Sequence, residues 1–546
     1  MGFSRLESLE RICGTVGGGS GKLGEYARVF VVLLLCDVPN SIFGFFRNGL
    51  SDKAFPFRQG SEDGSLRPSS VCNTPERDFQ LEWSDQCCDS FLTQQWRVLL
   101  PSFTGSVEHQ DLEADTFMPW HDYHFRASGS SSTATAGGTN APAGGHSEVS
   151  RVFIHDGHWS FDGLGPAPRG GRVRTFAVKR LRTTKEEDFK KEVAMLRELG
   201  GKKPHTVKLL ATFRHGRTYC LLFPWAECDL LEYWSRDSSK GGKPPAPLIA
   251  WVAKQCHGIF AALHWIHDPK TILDPNDKEL YGRHGDIKPE NILWYKHNED
   301  GPHRLASGEL VLSDFGLSSL NHKNTRSNIN NGDILHTTTY APPESVLPRN
   351  VISRAIDIWA LGCVYLEFIT WIIGGPSKRG EFQTYRMSQF LTTTVNNDVF
   401  WELQEFQDPH SRTAQHVTVV KPKVERWIQS LRETQEATQY VQDFLDIIQN
   451  YMLVIKKSDR ASVATLMPLF NKLKERCDRD PSYYTQASSI RRGAQVIQLP
   501  VVETLSIPAR ETISRGTAAL PGYSEQAQPS QLQRSAATHL RPPAPG

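Results

Sequence analysis

The chain has 546 residues, 39% of them hydrophobic, and its 62 Lys and Arg against 60 Asp and Glu leave a net charge of +2. That length holds more than one domain, and the apolar share is enough for a folded core of ordinary size. The near-neutral balance excludes a broad electrostatic attraction to nucleic acid or to a membrane surface.

The first residues mix charges of both signs without a long apolar run, so they do not read as a secretory signal. Gly2 invites a myristoylation reading, but Leu6 stands where that motif has Ser or Thr. The early apolar run from Val29 to Cys36 is far short of the roughly 20 residues needed to cross a bilayer. A soluble intracellular protein, cytoplasmic or nuclear, is expected. The run continues through Ile42, Phe43, Phe45 and Phe46 after the break at Pro39, and reads as a short buried helix or equally as a strand. A second cluster, Phe91, Leu92, Trp96, Leu99 and Leu100, has spacings compatible with one helix face. Together they predict a helical N-terminal extension over residues 1–110. The ten cysteines show no repeated spacing, and the adjacent Cys87 and Cys88 lack the C-x-x-C pair a zinc site needs. Reduced thiols serving as small core residues are expected.

Residues 128–145 are almost all Ser, Thr, Ala, Gly, Asn and Pro, too little apolar surface to offset ordering, and predict a flexible insert. Apolar and polar residues then alternate as in one large globular domain, placed at 111–478. The Ser-, Gln-, Ala-, Pro- and Arg-rich stretch 479–546 predicts a disordered tail.

The most specific pattern is His284-Gly285-Asp286-Ile287-Lys288-Pro289-Glu290-Asn291, followed two dozen residues later by Asp314-Phe315-Gly316. It sets a proton acceptor, a phosphate-facing cation and two metal ligands on neighbouring loops, which is what phosphoryl transfer asks of a protein. The match to H-x-D-x-K-x-x-N and D-F-G resembles the eukaryotic protein kinases of serine/threonine type. The resemblance implies an α+β, two-lobed protein kinase fold, with a small β-rich N-lobe and a large helical C-lobe. ATP and Mg2+ are the implied cofactors, and a protein substrate the implied partner; nucleic acid and membrane are not expected partners. Asp286 would accept or orient the proton of the substrate hydroxyl, Lys288 would neutralise the γ-phosphate, and Asn291 and Asp314 would hold magnesium.

Upstream, Phe176-Ala177-Val178-Lys179 resembles the strand that supplies the phosphate-binding lysine. Glu192, on the helix-like stretch 185–199, would pair with Lys179. Ala177 and Leu293 resemble the residues that sandwich adenine, and Phe223-Pro224-Trp225-Ala226 occupies the hinge position. Leu196, Leu209, His284 and Phe315 resemble the stacked column of the family. Thr337 to Glu344 resembles the segment that closes the activation loop, with Glu344 expected to pair with Arg460 and Asp357 to anchor the catalytic loop.

Two departures stand out. The best glycine-loop candidate, Pro142 to Val149, matches G-x-G-x-x-G-x-V only at Gly144 and Val149, while Pro142 and Ser147 stand where glycines belong. Proline offers no N–H to a phosphate and serine limits close backbone approach, so low ATP affinity is expected. Gly285 replaces the arginine that usually precedes the catalytic aspartate, and Arg283 is offset by two residues. Activation through a phosphate at Thr325, Ser327 or Thr337 to Thr339 by that route is therefore not expected. The longer resemblance, over residues 25–477, is to divergent kinase-like proteins of filamentous fungi. A pseudokinase or kinase-fold scaffold is the alternative reading, because of the degraded glycine loop. Against it, every charged catalytic residue remains.

Overall fold

The computed structural model describes residues 5–14, 24–62, 65–68, 78–81, 83–105, 109–126, 147–161, 173–183, 185–236, 245–268, 280–296, 306–315, 319–322, 338–346, 353–389, 396–407 and 414–488. Gly144, Gly316, Thr325, Ser327, the insert 128–145 and most of the tail lie outside the described residues. The chain divides into two compact units. One is drawn from residues 1–130, 146–201 and 207–226, and the other chiefly from 227–546 with 202–206.

In the first unit the early apolar run is a helix, α1 (Ala27–Leu35), in spite of its β-branched residues. The reason lies 23 residues downstream: the Asp52 carboxylate accepts the backbone N–H of Arg28 at 3.0 Å and of Val29 at 2.9 Å. Those are orphan donors of a helix start, and a carboxylate there also opposes the positive end of the dipole. α1 packs with α2 (Ile42–Asn48) and α3 (Asp85–Gln94) around a core in which Phe45, Phe57 and Phe91 meet at 5.5–5.8 Å. The segment is not wholly helical, since Phe57–Gln59, Ser65–Pro68 and Phe79–Gln80 form a three-stranded sheet beside those helices.

The larger sheet is built from β1 (His109–Leu112), β2 (Trp120–Arg126), β3 (Ser147–His155), β4 (Val173–Leu181), β5 (Ala211–His215) and β6 (Thr218–Pro224). Its order is β1-β5-β6-β4-β3-β2, antiparallel except for β1, which joins the β5 edge in parallel. Period-two alternation fixes its faces. Val152, Ile154, Phe176 and Val178 enter the core, so Val149, Arg151, Ala177 and Lys179 project from the opposite face. On the chain, β2 and β3 are consecutive strands and pair antiparallel. α4 (Glu186–Leu199) carries Glu186, Glu187 and Asp188 in its first turn, where acidic side chains favour a helix start.

The second unit is mainly helical. α5 (Ala246–His267) and α6 (Ala355–Arg386) are its most apolar helices, and each is long and apolar enough to cross a membrane. Their apolar stretches are 67% and 94% buried inside the protein, as core helices are. α6 breaks at Gly374 and at Gly375, whose φ of 67° suits glycine, immediately before Pro376. The loop 284–291 is framed by short strands. β7 (Leu280–Arg283) pairs with β10 (Ser319–His322), and β8 (Ile292–Tyr295) pairs with β9 (Glu309–Leu312). Packed structure continues past residue 478: the helix Ser482–Thr485 buries Tyr483, and Ser488 N–H donates to Ala437 O at 2.9 Å. The α+β class expected from the sequence is the one observed. All nine described cysteines are free.

Candidate active site

In the first unit Lys179 sits on β4 with its Nζ 2.8 Å from Glu192 Oε1 on α4. α4 keeps that bond in place through its neighbours. Phe189, one turn before Glu192, stacks on Tyr219 at 4.4 Å, and the His109 ring of β1 lies 5.0 Å from Phe189. β1 is itself tied to β5 by the Arg214–Asp111 ion pair at 2.8 Å. In register, Val149 stands opposite Lys179, whereas Arg151 stands opposite Ala177. Arg151 escaped the sequence reading, although the alternation of Val152 and Ile154 marks it as facing away from the core.

In the second unit the loop 284–291 is held by a carboxylate it does not contain. Asp357, on α6, accepts the backbone N–H groups of His284 at 2.9 Å and Gly285 at 2.8 Å, and its Oδ2 lies 2.7 Å from His267 Nε2. Burial opposes ionisation of Asp357, but the bond to His267 and the loop N–H groups outweigh it and hold its carboxyl below the usual range. Burial also lowers His267, so a neutral imidazole donates its Nε2–H to a charged carboxylate. Gly285 has φ +88°, a conformation that costs an L side chain about 1–2 kcal/mol.

The Asp286 carboxylate is gripped on Oδ2 by Lys288 Nζ at 2.8 Å and by Asn291 Nδ2 at 2.8 Å. Asn291 Nδ2 also donates to the Asp286 carbonyl at 2.8 Å. Both donors of that amide thus point at Asp286, which leaves Oδ1 as its outward acceptor. The Asn291 carbonyl accepts Ser313 N–H at 2.9 Å and Ser313 Oγ–H at 3.0 Å. His284 Nε2 meets Ser313 O at 3.0 Å, and its ring lies 5.2 Å from Phe315. This ties Asp314, the next residue, to the loop that carries Asp286. Asp314 has φ +60°, and such local strain is typical of sites held by their surroundings. Leu293 follows on β8, half-buried. Glu290 is largely buried with Oε2 unpartnered, and burial pushes its carboxyl up.

After Phe315 the segment from Thr339 to Glu344 is anchored at three points. Thr339 Oγ1 donates to Asp398 at 2.6 Å, Tyr340 OH to Glu367 at 3.0 Å, and Glu344 takes a two-point bond from Arg460 at 2.6 and 3.1 Å. Among the described residues no group of three or more His, Cys, Asp or Glu side chains could hold a metal by itself. Asn291 Oδ1 and the Asp314 carboxylate nevertheless suit magnesium, which takes few protein oxygens and completes its shell with phosphate and water.

Residues 169–468, more than half of the chain, match the family model described as "Protein kinase domain". The chain is 28% identical over 204 residues to "Probable cyclin-dependent kinase 8" of Dictyostelium discoideum, covering 36% of this chain and 47% of that protein. It is 26% identical over 240 residues to "Cyclin-dependent kinase 14" of Oryctolagus cuniculus, covering 43% of this chain and 44% of that protein. The chain thus spans a little under half the length of these relatives.

Proposed function

We propose, from the premise that the chain belongs to the protein kinase superfamily, that it transfers the γ-phosphoryl group of ATP to serine or threonine hydroxyls of protein substrates. The observation that carries this reading is the grip of Lys288 and Asn291 on one oxygen of Asp286. It fixes an ionisable carboxylate, a cation and a metal-ligand oxygen within one short loop, and its other oxygen remains for a hydroxyl proton. Asp286 orients the substrate hydroxyl and takes its proton as the bond to phosphorus forms. Lys288 offsets charge on the transferred group, and Lys179, aligned by Glu192, neutralises the other nucleotide phosphates. Asn291 and Asp314 would hold magnesium, which when bound would neutralise phosphate oxygens. Ala177 in the first unit and Leu293 in the second are each a base-lining candidate in this reading, and Val149 lies beside Lys179 on the same sheet face. Partners in this reading are a protein substrate and ATP, and the proposed location is cytoplasm or nucleus.

A second reading, a kinase-fold scaffold with weak or no catalysis, has one observation in its favour. The glycines of residues 127–146, Gly144 among them, lack the G-x-G-x-x-G spacing. Backbone N–H groups of a tight glycine turn normally cradle the phosphates. Phosphate incorporation into a generic basic substrate with Mg-ATP, beside Asp314→Ala and Lys179→Met, separates the two. A wild-type signal no greater than that of both variants removes the kinase reading.

A further inference from the structure

Arg151 lies in the middle of β3 opposite Ala177 of β4, and Ala177 is in turn opposite Phe223 of β6. Opposite residues of antiparallel strands project from one face, so these three make a row beside the row of Val149, Lys179 and Leu221. Two residues of strand, roughly 7 Å, separate the rows, about what a ribose spans between a phosphate and its base.

The guanidinium of Arg151 packs over the Phe153 ring at 4.9 Å and the Trp225 ring at 5.2 Å. Its Nε is buried without a hydrogen-bond partner. A guanidinium only donates, and a buried donor without an acceptor is unfavourable until something supplies one. The two rings hold the planar cation flat, and its strand position is opposite Ala177.

We infer that Arg151 recognises the base edge of the bound nucleotide and makes this a site for purine nucleoside triphosphates in which GTP serves beside ATP. The inference rests on the reading above, that this sheet face takes a nucleoside triphosphate with its phosphates at Lys179. Guanine presents O6 and N7, two adjacent acceptors that an arginine fork meets together. Adenine presents N7 beside an amino donor, and meets the fork through one acceptor only. Pyrimidines present neither pair on so broad a ring.

The test is the affinity of the full chain for ATP and for GTP with magnesium, in wild type, Arg151→Val and Arg151→Lys, with melting in the absence of nucleotide as the check on folding. Arg151→Val is expected to lose about tenfold more affinity for GTP than for ATP. Arg151→Lys keeps the charge without the fork and is expected to shift the ratio the same way. A GTP-to-ATP affinity ratio unchanged in Arg151→Val overturns the inference and leaves the kinase reading standing. Should that variant fail to fold, an unchanged ratio in Arg151→Lys overturns it equally. Absence of any nucleotide binding to the wild type removes both readings.

Discussion

Lys179 Nζ and Glu192 Oε1 stand 2.8 Å apart, with the two side chains only 12% and 13% exposed. At that burial the pair is weakly screened, so each charge orients the other more than an exposed pair would. In the proposed reading, removing the lysine removes a phosphate cation, whereas removing the glutamate charge leaves the cation in place and weakens its bond to residue 192. Lys179→Met is therefore expected to lower phosphoryl transfer by at least about 100-fold, the scale for a lost electrostatic donor. Glu192→Gln is expected to lower it less, mainly through KM for ATP. Initial rates over a range of ATP concentration check the order; a larger loss in Glu192→Gln than in Lys179→Met contradicts it.

Within the loop, the two Asn291 donors and Lys288 converge on Asp286. Asp286→Asn keeps the shape but removes the proton acceptor, so kcat is expected to fall by about 10²–10⁴-fold with little change in ATP affinity. Asn291→Ala removes one of the two bonds to Asp286 Oδ2 and, in the proposed reading, deletes a metal-ligand oxygen, so its loss should be partly recovered by raising magnesium. A magnesium titration of both variants checks this; identical magnesium curves for Asn291→Ala and wild type contradict it.

How far the sequence carries these sites depends on how local each contact is. The loop 284–291 was legible because Asp286, Lys288 and Asn291 meet within six residues and a motif records their order. The Lys179–Glu192 and Glu344–Arg460 pairs were legible through family spacing, and the structure brings each pair together. The β3 register was not. Counting along a glycine motif singled out Val149, but which residue faces Ala177 depends on pairing with β4 beyond the hairpin. α1 was ambiguous for the same reason, since its cap comes from Asp52, outside any local window. His267 was missed because α5 ends with it in a plain apolar pattern, and only the fold brings it to Asp357.

Glu344 and Arg460 form a buried pair, and Arg460 also donates to the carbonyls of Val454, Ala355 and Ile455 while lying 5.1 Å over the Trp359 ring. Breaking such a pair from one side leaves an uncompensated charge in the interior. Glu344→Ala is expected to destabilise by about 3–5 kcal/mol. Because Arg460 serves three carbonyls as well, Arg460→Ala should be at least as harmful. Urea denaturation checks both, and a midpoint for Glu344→Ala within error of wild type contradicts the pair's importance.

The contact between His267 and Asp357 is expected to set how the loop 284–291 responds to acid. His267 lies below its ordinary value of 6.5 because burial disfavours the imidazolium, and nearby Arg354 and His284 act in the same direction. The unfolded chain therefore binds a proton near pH 6.5 that the folded chain refuses until lower pH. The sign follows: the stability linked to His267 is complete above that value and is lost as pH falls through it toward the folded value. The slope contributed by one such proton reaches about 1.4 kcal/mol per pH unit. Asp357, also lowered in the fold, adds its own loss only at pH near and below its ordinary 3.8. Between these windows the Asp357 charge persists while His267 is driven to protonate, so the loop N–H groups of His284 and Gly285 keep their acceptor. His267→Asn retains a donor for Asp357 without a titrating group, and is expected to flatten the pH dependence of the melting temperature between pH 7 and about 5. Melting curves of wild type and His267→Asn across that range decide it. Equal slopes in the two proteins would show that His267 does not control the acid limb.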